Sequence, residues 1–414
     1  MKLGFSGALA LLGAVLASTA GADTTITVAV FSSLDRSTRA ALPRWEKLHP
    51  DVKIKLVSLS LVDYHNAMIT ALAAGSNLPD VMAVEFGHIG RFAESGGLED
   101  LGAAPYHGRP LLSRLLRFTG PQATSGGGAL AAIPTDVGPG TLFYRKDILD
   151  RAGVTEAELT RSWESFIEAG KKVRAATGAH LIAQANDMMD IFIRANLKDG
   201  EGIYFDRQGN VLVDTPRFAR AFELARAARA AGIDARVTRQ SSEWAEGFRR
   251  GTIASLMGGA WLAGLLDSWI APGTRGRWRS AQLPGGAFAS WGGSFYAIPR
   301  KAEHKAEAWE FIKFMCFDRE QQLEAFKSLD AYPALIAASD DPFFDAPVPF
   351  LGGQRARQIW KVAAARIPGI AVNKLDPIAV DVVAAELEQV LEQDKDVKQA
   401  LADAKGQIER RVRR

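Results

Sequence analysis

Between Ile26 and Val84 the chain changes its hydrophobic period again and again, and that alternation is the strongest constraint on its fold. Ile26, Val28 and Val30 alternate with Thr27 and Ala29, as in a strand packed on one face. Leu42, Trp45 and Leu48 then recur at helical spacing until Pro50 ends the run. Val52, Ile54 and Leu56 return to alternation. A helix is expected from Asp63 to Ala74, closed by Gly75, and Pro79-Asp80-Val81-Met82-Ala83-Val84 reads as a third, more buried strand. This β-α-β-α-β order predicts a parallel sheet with helices on both faces.

A second α/β region begins near Ala132. Ile133-Pro134 leads to a strand at Leu142-Phe143-Tyr144 and a helix start around Asp147. Helical patterns follow from Ser162 to Ala175, Pro216 to Ala231 and Ser241 to Arg250. Ile253 to Met257 and Ser294 to Ile298 are short strand candidates, and Ile378 to Arg413 reads as a helical tail. A chain of 414 residues exceeds what one compact core serves, so two domains are expected.

The first 22 residues read as an export signal. Lys2 gives the positive start, Leu9 to Ala17 the apolar stretch, and Ala20-Gly21-Ala22 a small-x-small cleavage site before Asp23. The apolar stretch is too short to favour a membrane anchor. No Cys lies at or just after the cleavage point, which disfavours a lipid tether, so a soluble periplasmic protein is expected. Cys316 is the only cysteine, within Ala308, Phe311, Ile312 and Met315 at helical spacing, so it is expected to be buried and inert.

Without Lys2 the chain carries 49 basic and 47 acidic side chains, a balance that argues against nucleic acid as a partner. The six histidines are scattered, with no HExxH or Cys-His spacing, so no metal or other cofactor is expected. There is no GxSxG elbow. Carboxylates are plentiful, and a pair such as Glu85 with Asp136 leaves a secreted carbohydrate-active enzyme open as a minority reading.

A series of short motifs recurs in a telling order. Ile26-Thr27-Val28 and His49-Pro50-Asp51-Val52-Lys53-Ile54 come first. Leu78-Pro79-Asp80-Val81 and Gly96-Gly97-Leu98-Glu99-Asp100-Leu101 follow. Ile133-Pro134-Thr135-Asp136, Ser162-Trp163-Glu164, Met257-Gly258-Gly259-Ala260-Trp261 and Trp291-Gly292-Gly293 complete the set. In this order the chain resembles the extracellular solute-binding proteins, family 1, which serve ABC importers of carbohydrates. The resemblance implies an α/β, two-lobed periplasmic-binding-protein fold of type II-like form, with a ligand cleft between lobes joined by hinge crossings. It places the crossings near Ile133–Asp136, Trp291–Ser294 and Ala331–Pro333. The N-lobe would be 23–132 plus 295–330, the C-lobe 133–294 plus 331–414. It further implies a monomer that binds a sugar without turnover and hands it to an inner-membrane permease.

Sugars present flat C–H faces and rings of hydroxyls, so a cleft needs aromatic plates and planar hydrogen-bonding groups. Phe31, Ser32 and Ser33 end the first strand, where an open α/β sheet exposes its crevice. Many family members carry a tryptophan hereabouts; this chain has Ala29 and Phe31. Glu85 and Phe86 follow the third strand at the same edge. Asp136 lies in the first crossing, where it either accepts sugar hydroxyls or caps a turn. Trp261 is the leading stacking plate, a preference the resemblance carries. Trp291 with Gly292 and Gly293 offers an indole beside approachable backbone. Tyr332 at the last crossing, Tyr64 and Asn373 complete the candidates. Trp45, Trp163, Trp309 and Trp360 fall on helical patterns and are expected in the core. A glycerol-phosphate ester, a polyamine or another small polar solute on the same fold stays open. Phosphate would want arginines in the cleft, and a polyamine carboxylates framed by aromatics.

Overall fold

The computed structural model describes residues 24–413; the export signal and its cleavage site lie outside the described residues. Seven strands form the frame: β1 (Thr24–Phe31), β2 (Val52–Leu59), β3 (Val81–Glu85), β4 (Ile133–Arg145), β5 (Ser255–Gly259), β6 (Trp278–Ala281) and β7 (Ser290–Ala297). Their order is β2-β1-β3-β7-β4-β5, with β6 also paired to β4. β2 alternates half-buried and exposed positions, whereas β3 is buried at four of its five, which is why their patterns read so differently.

β1 runs parallel to β2 and β3, as the opening alternation predicts. Beyond these three strands the pairing is antiparallel. β7 is antiparallel to both β3 and β4, and β5 and β6 are antiparallel to β4. The reason lies in the path of the chain. β4 is 13 residues long; its first half pairs with β7 and its second half with β5 and β6, so it carries the chain from one sheet to the other. β7 brings the chain back beside it and must run the opposite way.

Register shifts between Pro134 and Asp136 and between Val137 and Pro139 bend β4 where the two halves meet. Asp136 there also bridges Pro333, and the Val137 N–H donates to the Tyr332 carbonyl at 2.9 Å. Three chain segments thus run side by side at one place.

The helices begin and end on recognisable chemistry. Ser60 accepts from the Asp63 N–H at 3.2 Å, and Gly75 closes the Leu61–Ala74 helix at φ +63°. Ser162 and Ser165 cap the Trp163–Thr177 helix reciprocally at 3.0 Å. The tail is two helices, Asp376–Gln393 and Val397–Val412, where the pattern read as one. Asp394 breaks it at φ 55°, Asp396 caps the second helix, and Lys395 pairs with Glu386 at 2.6 Å to fold one against the other. Hydrophobic spacing continues through such a turn, so periodicity alone misses it.

Trp45 from the Ser32–Leu48 helix meets Phe311 and Phe314 of the Lys305–Phe317 helix, with ring centres 5.2 and 5.5 Å apart. Cys316 is buried on that helix, its Sγ 3.8 Å from the Ile133 carbonyl. Trp163, Trp309 and Trp360 are core residues. Among the described residues no helix is long and apolar enough to cross a membrane.

Candidate ligand cleft

The ends of β3, β7 and β4 place three polar residues in one row. Glu85 lies opposite Ser294, and Ser294 lies opposite Asp136. Directly opposed residues share a face of the sheet, so their side chains interact. Burial pushes the Glu85 carboxyl up to about 7, with Asp136 adding to the rise, against the Gly87 N–H that it accepts at 2.6 Å. Burial likewise raises Asp136 to about 6, against hydrogen bonds from Ser294. Asp136 lines a cavity of about 10 Å³ with Ser37, Thr135 and Gln322.

The glycine-flanked tryptophans meet where the sheets join. Trp261, just past β5, donates its indole N–H to the Trp291 carbonyl on β7 at 3.0 Å. Both rings are half-buried. Gly138 on β4 makes the approach possible: a Cβ there would lie 1.8 Å from the Trp291 carbonyl oxygen. Gly292 and Gly293 have φ of 79° and 129°, a region L side chains avoid. The Gly293 carbonyl accepts from the Phe86 N–H at 2.9 Å, tying the end of β3 to the same turn.

Arg194, on the Asn186–Ala195 helix, faces this turn. Its guanidinium is 5.3 Å from the Trp291 ring centre, and that of Arg239 is 4.7 Å away. Asp190, one turn earlier, pairs with Arg194 at 3.0 Å. Burial works against the charge of Arg194, but Asp190, Tyr204 and Glu85 hold it firmly protonated. Asp376, at the start of the next-to-last helix, is pushed up to about 7 by burial, against the Asn373 N–H and Arg194. Arg239 is 3.5 Å from Asp187.

Segments far apart along the chain touch around these residues. A Cβ on Gly90 would lie 2.8 Å from the backbone of Asn373, and Arg117 pairs with Asp199 at 2.7 Å. Between them, Gln122, Arg194 and Ser290 line a cavity of about 10 Å³, room for a single water.

Behind β3, His65 holds the end of the strand that bears Glu85. Its Nε2 accepts from the Glu85 backbone N–H at 3.1 Å, and its Nδ1 faces the Leu61 carbonyl at 2.8 Å, so the neutral tautomer with the proton on Nδ1 suits both. His88 stacks on it at 4.0 Å. Burial, then the charge of His88, lowers His65 to about 4; burial and Arg91 lower His88. The folded state therefore binds fewer protons than the unfolded one between the ordinary histidine value and about 4. The stability this site contributes is full above that window and is lost as pH falls through it, at most about 3 kcal/mol for His65. His65→Gln should flatten the fall in unfolding free energy between pH 7 and pH 4.5, measured by urea titration. A slope equal to the parent's would free His65 of this role.

The other candidates are placed less centrally. Phe31 is buried against Tyr64 and His65. The Tyr64 hydroxyl donates within reach of the Ala29 and Ala83 carbonyls, both at 2.9 Å. Ser32 and Ser33 are exposed at the start of their helix. Tyr332 is buried against Phe326 and Phe344, and the Asn373 N–H donates to the Asp376 carboxylate at 2.8 Å. Sequence reasoning passed over Arg194, Arg239, Asp376, Gln122 and His65. The spacing of Asp190 and Arg194 at i and i+4 was the one available signal. Among the described residues no group of three His, Cys, Asp or Glu side chains could hold a metal ion.

Comparison with known proteins gives a consistent picture. Residues 31–322 match the family model described as bacterial extracellular solute-binding protein. A lactose-binding protein of Rhizobium radiobacter is 28% identical over 362 residues, 82% of each chain. An arabinooligosaccharide-binding protein of Halalkalibacterium halodurans is 25% identical, over 73% of this chain and 69% of its own. A crystal structure of an extracellular solute-binding protein family 1 member superposes with TM-score 0.83 at 24% identity, covering 94% of this chain and 99% of that one. The sugar-binding protein MalE of Xanthomonas citri does so with TM-score 0.76 at 19% identity, covering 93% and 96%. The last two likenesses bear on the fold, which is two-lobed and α/β.

Proposed function

The chain belongs to the bacterial extracellular solute-binding proteins, and from that membership we propose that it captures a mono- or oligosaccharide between its lobes and delivers it to an ABC importer. One observation carries the reading. Trp261 and Trp291, half-buried and joined by a hydrogen bond, stand at the junction of two sheets beside Glu85 and Arg194. That is the combination of flat apolar plates and charge-assisted partners that sugar faces and hydroxyls require. The lactose- and arabinooligosaccharide-binding relatives support the same class of ligand.

Lobes of 23–132 with 295–330 and of 133–294 with 331–414 fit the side-by-side passage of β4, β7 and the segment around Tyr332. A ligand that touches both lobes stabilises only the closed arrangement, so binding and hinge closure are one equilibrium. The protein acts as a soluble periplasmic monomer and performs no catalysis on its sugar. A phosphate-ester ligand is less well supported, because Arg194 and Arg239 each already face a carboxylate.

A thermal-shift screen of the mature chain against mono- and oligosaccharides tests this. A ligand at a hundredfold excess over its Kd adds about 2.7 kcal/mol to the folded state, a rise of about 3 °C or more for a chain of this length. Hits confined to phosphates would overturn the carbohydrate reading.

A further inference from the structure

The small cavity lined by Gln122, Arg194 and Ser290 has a second, apolar wall of Ile203, Pro368 and Ile370. Hydrogen bonds build that wall in place. The Gly200 N–H donates to the Gly369 carbonyl at 2.7 Å, and the Ala371 N–H to the Glu201 carbonyl at 3.0 Å. Arg217 donates to the Ile203 carbonyl at 2.7 Å. Pro121, next to Gln122, packs on the same segment: a Cβ on Gly369 would lie 3.1 Å from its Cγ. The cavity adjoins the tryptophan turn, since Ser290 precedes Trp291 and the Arg194 guanidinium lies 5.3 Å from the Trp291 ring centre.

Of the polar groups in the lining, Arg194 pairs with Asp190 at 3.0 Å and the Ser290 hydroxyl donates to the Gly292 carbonyl at 3.3 Å. Gln122 differs. It is 2% exposed, yet its side-chain nitrogen has no hydrogen-bond partner among the described residues. A buried donor left unmet is costly, so its natural partner is an acceptor that arrives with a ligand. Water suits the place poorly, because a buried water wants about two to four polar partners and one donor here is unspent. A hydroxyl carried on carbon matches both walls: its oxygen accepts from Gln122 and its carbon packs on the isoleucines. The space of about 10 Å³ takes one oxygen, less than a carboxylate or a phosphate needs.

We propose that this cavity is the subsite for the exocyclic hydroxymethyl group of a hexose unit, with Gln122 Nε2 donating to its oxygen and Ile203 and Ile370 packing on its carbon. The inference rests on the carbohydrate reading above and narrows it to sugars that bear a hexose. Gln122 is then a specificity-determining residue. A sugar without that hydroxyl leaves the buried donor unmet, which is how a polar site rejects an analogue.

Two series of sugars test it by calorimetry on the mature chain: galactose, 6-deoxygalactose and L-arabinose, then glucose, 6-deoxyglucose and xylose. In each, the second sugar lacks only the hydroxyl and the third lacks its carbon as well. Cellobiose and xylobiose repeat the comparison in disaccharides. In whichever series binds, the hexose should bind about tenfold or more tightly than its 6-deoxy analogue, and the pentose more weakly still. Gln122→Met, equal in length but without a donor, should cut that gap to about threefold or less and leave the gap between 6-deoxy sugar and pentose unchanged. The ligand-free variant should keep the parent's urea midpoint, since an unmet donor adds nothing to the fold. A 6-deoxy sugar or xylobiose that binds as tightly as its hexose partner overturns the inference and leaves the carbohydrate reading standing. So does a preference that survives Gln122→Met, or a lower midpoint for that variant. Binding by none of these sugars overturns the inference as well, and a thermal-shift screen with no carbohydrate hit removes the carbohydrate reading with it.

Discussion

Trp261→Ala should weaken binding of the tightest sugar from the screen by about a hundredfold. Losing an aromatic plate removes roughly 1.5–3 kcal/mol of apolar burial against the ligand, and each 1.4 kcal/mol is tenfold in affinity. The ring also donates to the Trp291 carbonyl at 3.0 Å, so its loss frees the turn that carries the second indole. Trp261→Phe separates the two contributions. It keeps most of the plate and loses the N–H, and the expected loss is about tenfold or less. Calorimetry on both variants reads the difference. An alanine variant with the parent's affinity would place the ring outside the site.

Gly138→Ala is expected to cost the most stability. A methyl group there would sit 1.8 Å from the Trp291 carbonyl oxygen and 2.6 Å from its carbon. Backbone cannot swing aside as a long side chain does, so β4 and β7 must part at the crossing. Overpacking of this kind costs about 3 kcal/mol or more, seen as a lower urea midpoint. Gly273→Ala is the matched control, with nothing within 4 Å of its Cβ position and an expected change within about 0.5 kcal/mol. If both variants behave alike, the close passage of β4 and β7 is not what holds the crossing together.

The local elements were legible because their signals are local. Alternation at Ile26, Val28 and Val30 marks β1, and Gly75 marks the end of a helix, whatever lies elsewhere in the chain. Trp261 and Trp291 stood out because glycines beside an indole are visible in the sequence. Asn373 was singled out too, but the carboxyl that burial pushes up is that of Asp376, three residues on. Nothing in the pattern distinguishes that carboxylate from its neighbours. His65 looked like any histidine on a helix until the Glu85 N–H was found opposite its Nε2.

Sequence by itself determined most of the local elements and the α/β, two-lobed class of fold. Tertiary structure decided the antiparallel return of β7, the helix break at Asp394, the row of Glu85, Ser294 and Asp136, and the approach of Arg194 to Trp291. Hydrophobic periodicity is set by residues a few positions apart, so it survives in the sequence. A cleft joins positions far apart along the chain, and which of them face each other is fixed only when β4 and β7 cross side by side.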